Sequence, residues 1–155
     1  MPDGNGYSAW ATSVHTFLLE VDGVQIGTFL EVNGLSVSVE PEKIAEGGQN
    51  QYTHQRPSRM SWPNITLKRG VTQSNDLFDW FAKTSGDGYE GAGNVIEMLP
   101  AAITLISDAG DRLREWVVDR AFPVQWTGPT FAATSNEVAT EELEIAHHGF
   151  KPQNP

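Results

Sequence analysis

The chain has 155 residues, no cysteine, a formal net charge of −10 and a pI near 4.7. This length suits one domain with its own hydrophobic core, and the missing cysteines exclude disulfides and thiolate metal sites. Acidic residues outnumber basic ones, whereas nucleic-acid recognition needs an excess of basic residues. No apolar run approaches the roughly 20 residues of a membrane helix, so we expect no membrane insertion by this chain.

Both ends of the chain are predicted to lie outside a single domain of residues 15–150. Residues 1–14 are polar and glycine-rich, without the basic and apolar stretches of a secretion signal, and they are expected to form a flexible N-terminal arm. Residues 151–155 are expected to form a short C-terminal tail.

A meander of three strands is predicted at the start of the domain. His15–Asp22 is rich in β-branched and aromatic residues, and Asp22-Gly23 favours a tight type I′ turn into a second strand, Val24–Val32. Asn33-Gly34 is a turn signal of the same kind. Residues 35–40 then alternate between apolar and polar side chains, which is typical of a half-buried strand.

Residues 41–61 follow neither the strand nor the helix period. They carry glycines, glutamines and prolines but few apolar residues. A loop of this length inside a compact domain is generally functional or disordered. An extended hairpin reaching away from the body, with local pairing near residues 50–53, would fit as well. In either case this segment is the one most expected to touch another molecule.

A strand and a short aromatic helix are predicted next. Ile65 and Leu67 alternate in the strand 64–68, which Gly70 closes. Ser74 is the predicted N-cap of a helix that ends near Thr84. Four large apolar side chains give this helix one apolar face: Leu77, Phe78, Trp80 and Phe81.

The second half of the chain predicts further strands. A glycine-rich loop at 85–94 precedes an apolar run, 95–107, whose later half is a credible strand after the break at Pro100. A turn at 108–111 separates this strand from two more, 112–119 and 121–127. Residues 136–149 fit a helix and a strand about equally. The fold class is therefore mainly β, with two packed antiparallel sheets in a sandwich or barrel-like arrangement and one short α-helix.

No group of residues predicts catalysis or metal binding. The four histidines lack metal-ligand spacing, and the adjacent pair His147-His148 would point to opposite faces of a strand. Glu141, Glu142 and Glu144 form an acidic strip for which a solvated edge is the simplest interpretation. We expect no catalytic, metal-binding or cofactor-binding residue, no cofactor, and no enzymatic activity.

Several short sequence motifs nevertheless resemble, in type and in order, those of a known family. They are E-V-x-G-L at residues 31–35, E-G-G-x-N at 46–50, I-T-L-K-R-G at 65–70, L-x-x-W at 77–80, paired strands around an aspartate–glycine turn at 103–116, and the closing strands at 121–128 and 138–149. Together they are similar to the tube proteins of contractile phage tails and of bacterial extracellular contractile injection systems. The resemblance favours a strand over a helix at 138–149.

The resemblance implies a structural subunit rather than an enzyme. Members of that family form hexameric rings that stack into a rigid tube inside a contractile sheath. The implied partners are further copies of this chain, sheath subunits, a baseplate or tube initiator, and effector cargo or DNA that passes through the lumen without sequence-specific binding. Assembly in the bacterial cytoplasm is implied as well. The alternatives are a tube initiator or baseplate adaptor of the same particle and, from another class, a ligand-binding β-barrel.

The implied assembly suggests roles for particular residues. A hexamer would carry a formal charge of about −60, six times −10, which would oppose stacking unless bases lie at the contacts. Lys68-Arg69 is either a strand end kept in solvent or an intersubunit salt link. The candidates for intersubunit contact are Glu46, Gly47, Gly48, Asn50, Arg56, Arg59, Lys68 and Arg69, and those for an acidic lumen wall are Glu142 and Glu144.

Overall fold

The computed structural model describes residues 15–45, 47–48, 53–84, 93, 96–130, 134 and 137–155. The predicted N-terminal arm and nearly all of the loop 85–94 lie outside these residues. The described elements, in chain order, are β1 (Thr16–Val21), β2 (Val24–Phe29), β3 (Glu31–Asn33), β4 (Ser38–Ile44), β5 (His54–Ser61), β6 (Ile65–Gly70), α1 (Asp76–Lys83), β7 (Leu99–Ile106), β8 (Arg112–Thr127), β9 (Thr140–Ala146) and β10 (Phe150–Gln153).

Eight of the strands form two antiparallel layers that share β8. The strand order is β2-β1-β7-β8-β9-β6-β3, with β10 also paired to β8. The first half of β8 pairs with β7 and β10, and its second half pairs with β9. The chain passes from one layer to the other within β8, near Arg120 (φ 48°), and between β2 and β3 at Leu30. Such corners join packed sheets, and the mainly β fold class is confirmed.

The core lies between the two layers, and the helix covers one side of it. On β6 and β9, buried side chains alternate strictly with less buried ones, which is the period expected of strands with one face on a core. Leu77 and Trp80 attach α1 to this core. The fully buried large side chains include Leu19, Phe29, Ile65, Leu67, Leu77, Ile103, Val118, Leu143 and Ile145.

The predicted N-terminal meander is only partly correct. Asp22 (φ 50°) and Gly23 (φ 76°) form the predicted tight turn between β1 and β2. The predicted second strand, however, divides at Leu30, because β2 pairs with β1 whereas β3 pairs with β6 in the other layer. Gly34 (φ 91°) does not close a hairpin. Its missing side chain lets the backbone approach the carbonyl of Asn64.

Three expectations for the second half need correction. The predicted strands 112–119 and 121–127 are one strand, β8. Pro100 lies inside β7, where the pairing with β8 is irregular between Leu99 and Ala101, so its missing N–H is tolerated. The predicted tail 151–155 contributes its first three residues to β10, which pairs with β8. The strand that the resemblance favoured at 138–149 is confirmed as β9.

The helix forms where it was predicted, with a different start. Asn75 occupies the N-cap position without a side-chain capping bond. The predicted cap, Ser74, accepts a 3.3 Å hydrogen bond from the Asp76 N–H through its hydroxyl. The helix ends at Lys83, with Thr84 as the C-cap. Phe78, assigned to the apolar face, is half exposed.

Candidate functional site

Strands β4 and β5 form a two-stranded ribbon, which is the first candidate site. In the described residues they pair with each other and with no other strand, and all their residues are exposed. Of the two alternatives for residues 41–61, the extended hairpin is therefore present, although it begins at Ser38, and the local pairing considered near residues 50–53 lies almost entirely outside the described residues. A core strand would need alternating apolar residues, whereas this sequence places prolines opposite each other at Pro41 and Pro57.

The ribbon carries apolar side chains that its own fold does not bury. Val39 lies opposite Met60, and the two residues are 43% and 55% exposed. On the other face, Arg56 donates to Glu42 through a 2.7 Å hydrogen bond in an exposed ion pair. Exposed pairs of this kind contribute at most about 1 kcal/mol. The ribbon is therefore held weakly by itself and offers an apolar surface to a partner.

The remaining ribbon candidates lie in the connection between the two strands and toward the base of β5. Gly47 and Gly48 (φ 93°) are exposed turn residues, and Arg59 is exposed on β5. Glu46 and Asn50 lie outside the described residues. The structure thus groups Gly47, Gly48, Arg56 and Arg59 on one projecting element, and their role in intersubunit contact stays a prediction.

The structure corrects the assignment of Arg69. Neither the solvent-exposed strand end nor the intersubunit salt link holds, because Arg69 is only 4% exposed. It lies on the inward face of β6, two residues after Leu67. Its Nε donates to Oε1 of Glu141 at 2.5 Å, and Oε2 of Glu141 accepts a 3.3 Å hydrogen bond from Nε1 of Trp126. Sequence reasoning missed Trp126 and Glu141 as partners, although the shared parity of Leu67 and Arg69 signals an inward arginine.

Lys68 points to the opposite, outer face of β6, together with the lumen candidates. Glu142 lies opposite Lys68 in the β6–β9 register, and Glu144 lies opposite Thr66. The amide of Asn64 donates to Glu144 at 2.7 Å. The predicted shared face of Glu142 and Glu144 is thus present. Since Lys68 adjoins Glu142, however, the face is a mixed polar surface rather than a purely acidic strip.

An aromatic junction fixes the base of the ribbon to the turn between β9 and β10. The ring of Trp62 meets that of Phe150 edge-on, with 5.0 Å between centroids. The Gly149 N–H donates to Nδ1 of His147 at 3.0 Å, so Nε2 carries the ring proton and donates to the Pro63 carbonyl at 2.9 Å. No local sequence pattern indicates the contact between His147 and Pro63, because the two residues are 84 positions apart.

The described residues show no arrangement that suggests chemistry. Among them, no three histidines, aspartates or glutamates are grouped so that they could hold a metal ion. A hydrogen bond to Glu20 and the charge of that carboxylate raise the pKa of Arg112 above its ordinary value, so this guanidinium stays charged and cannot act as a base. No helix in the described part of the chain is long and apolar enough to span a membrane.

A family model described as "T4-like virus tail tube protein gp19" matches residues 13–151 of the chain. The chain belongs to this family. It is a tail tube protein of the contractile injection systems, and thus a component of a phage tail or a phage-tail-like particle. A search of curated proteins finds no match.

Solved structures of tube assemblies resemble this tail tube protein along nearly its whole length. A chain of the PVC sheath–tube complex of an extracellular contractile injection system, in the extended state, is 28% identical with a TM-score of 0.75, covering 98% of this chain and 94% of that one. A chain of the PVC sheath/tube terminator is 30% identical (TM-score 0.74; 95% and 97% covered). A chain of the anti-feeding prophage tube-terminating cap is 26% identical (TM-score 0.77; 99% and 96% covered).

Proposed function

We propose that this chain is the inner tube subunit of its particle. In this proposal it forms hexameric rings that stack into a rigid, cargo-conducting tube inside a contractile sheath, and it acts without enzymatic activity. Assembly takes place in the bacterial cytoplasm and begins on a baseplate or tube initiator. Support comes from the family match over residues 13–151 and from the similarity to a chain of a sheath–tube complex.

The observation that carries the proposal is the exposed β4–β5 ribbon. An isolated two-stranded hairpin is at best marginally stable in water, and this one keeps Val39, Met60 and Ile44 exposed. Burying these side chains against another copy of the chain would stabilise both the ribbon and the assembly. The ribbon is thus the element best suited to contact a neighbouring subunit or the next ring.

Unpaired sheet edges give a second reason for self-association. Among the described residues, β2 pairs with β1 alone, and the second half of β8 pairs with β9 alone. Unpaired edges leave backbone donors and acceptors available to another chain. Joining such edges around a ring would satisfy these groups and close the sheet.

Electron microscopy of the purified full chain tests the proposal, with light scattering to give the mass of the particles. We expect rings and stacked tubes that lengthen with concentration. Val39→Ser combined with Met60→Ser should leave the monomer folded and raise the concentration needed for stacking. Val138→Ser is the matched control, since Val138 is 80% exposed outside the ribbon.

A chain that stays monomeric at every concentration, even on added baseplates, would contradict the tube proposal. The alternative role, that of a tube initiator or baseplate adaptor, predicts a different result in the same experiment. An initiator should form a single ring that does not extend, because only a repeating tube subunit must bind its own upper and lower faces. Tube length therefore separates the two roles.

A further inference from the structure

A buried ion pair between two adjacent strands of one layer contacts a strand of the other layer. Arg69 of β6 and Glu141 of β9 are 4% and 7% exposed, and Trp126 of β8 donates its indole N–H to the same carboxylate. The guanidinium carbon of Arg69 lies 5.4 Å from the ring centre of Phe29 on β2. Four strands thus contribute one side chain each to the same contact, which we call the Arg69 network.

Gly27 shows how closely β2 approaches this network. A Cβ added at Gly27 would collide with Nη1 of Arg69. The φ angle of Gly27 lies outside the left-handed region. Glycine is therefore favoured here by the lack of room for a side chain and not by the backbone conformation. The backbone of β2 therefore packs directly against the guanidinium group.

Stability alone does not account for a charged pair at this position. Removing two charges from water is costly, and well-packed apolar residues in place of a buried ion pair are often as stable or more stable. The pair is also incompletely satisfied, because Nη2 of Arg69 is buried without a hydrogen-bond partner among the described residues. The pair instead restricts the relative orientation of the strands that carry it, since hydrogen bonds restrict geometry more than apolar contacts do.

The strands that meet in the Arg69 network include an edge strand of each layer, β2 and the second half of β8. Gly27 and Phe29 belong to β2, and Trp126 belongs to the second half of β8. The helix contacts both strands, and the ring of Phe78 meets that of Trp126 edge-on at 5.4 Å between centroids. Residues of both edge strands thus lie against the Arg69–Glu141 pair.

We infer that the Arg69–Glu141 pair is a positioning device for assembly. It holds β2 and the second half of β8 in the one relative arrangement that adjoining subunits can engage. The inference rests on the proposed ring-forming function, since edge placement matters to assembly only if neighbouring copies use these edges. Arg69 and Glu141 act through Phe29, Gly27 and Trp126 and need not touch the neighbouring subunit.

The double variant Arg69→Met/Glu141→Leu in the full chain tests this role, because it replaces both charges with apolar side chains of similar size. We expect a free energy of unfolding in urea equal to or above that of the unchanged chain. The concentration required for rings and tubes should nevertheless rise about tenfold or more. In the monomer, hydrogen exchange at residues 24–29 and 122–127 should accelerate relative to β6 and β9.

Two further variants keep the test decisive. Glu141→Gln preserves volume while removing the charge and replacing one of the two acceptor oxygens with an N–H donor, so it should show the faster edge exchange even if the double variant does not fold. Leu143→Met on the same strand is a volume-conserving core control and should change neither exchange nor assembly. Folded charge-removal variants with unchanged exchange and unchanged assembly would overturn the inference. If the unchanged chain forms no rings, the proposed function fails, whereas the exchange data still decide whether the pair positions the edges.

Discussion

Gly149 holds the turn between β9 and β10 in a conformation that other residues adopt only at a cost. Its φ angle is +117°, and a Cβ at this position would lie 3.1 Å from Cε2 of Trp62. The same residue donates its N–H to His147 and accepts a 2.9 Å hydrogen bond from the Asp119 N–H. One glycine thus connects the ribbon base, the β9–β10 turn and the bend in β8.

We expect Gly149→Ala to lower the free energy of unfolding by about 2–4 kcal/mol, which combines backbone strain with the close contact to Trp62. Gly110→Ala is the matched control. Gly110 also has a positive φ (+89°), but an added Cβ would meet nothing within 4 Å, so the loss should be about 1–2 kcal/mol. Urea unfolding of both variants measures the difference. Equal losses would show that contact with Trp62 adds nothing to the cost.

At the scale of elements, local sequence patterns predicted where strands lie better than they predicted which strands pair. The alternation of Ile65, Leu67 and Arg69 sets which side chains point inward, and it holds on β6 in the structure. The apolar–polar alternation of residues 35–40 looked the same in sequence, yet Val37 and Val39 are 48% and 43% exposed. Periodicity shows which side chains share a face of a strand, whereas burial of that face depends on the element that packs against it.

Strand connection depends on contacts that are distant in sequence. The divided strand at Leu30 and the continuous β8 both arise at corners, where one strand serves two layers. Neither corner has a strong local signal, since Arg120 adopts its positive φ without being glycine. For the candidate site, composition identified the ribbon, but the burial of Arg69 became visible only once β2, β8 and β9 surrounded it.

The outer face of β9 leads to a prediction about cargo. If Glu142 and Glu144 line the lumen, replacing both with lysine should make assembled tubes retain single-stranded DNA, because the wall changes from repelling to attracting phosphates. Co-sedimentation of a labelled oligonucleotide with tubes at low salt measures this retention. Glu142→Gln/Glu144→Gln is the matched control and should retain less DNA than the lysine variant. Retention equal to that of unchanged tubes would place these residues away from the lumen.

At the scale of the whole molecule, charge sets a limit on assembly. Each chain carries a formal charge of −10, and several described bases are already paired within the subunit, including Arg56 with Glu42, Arg69 with Glu141 and Arg112 with Glu20. These bases can offset little of a neighbour's negative charge. In the proposed tube, approaching rings would therefore repel each other over distances up to the screening length of the solution.

We accordingly expect salt to promote stacking. Raising NaCl from about 0.05 M to about 0.5 M shortens the screening length from roughly 14 Å to about 4 Å, and the concentration needed for tubes should fall. Light scattering across a protein titration measures this concentration, with urea unfolding to show that monomer stability changes little. Glu142→Gln/Glu144→Gln should reduce the salt effect, because it removes two of the repelling charges from each subunit. If salt instead weakens stacking, attraction between opposite charges at the contacts outweighs the repulsion between rings. Substitutions that remove the charges of Arg59 and Lys68 would then be the first to test.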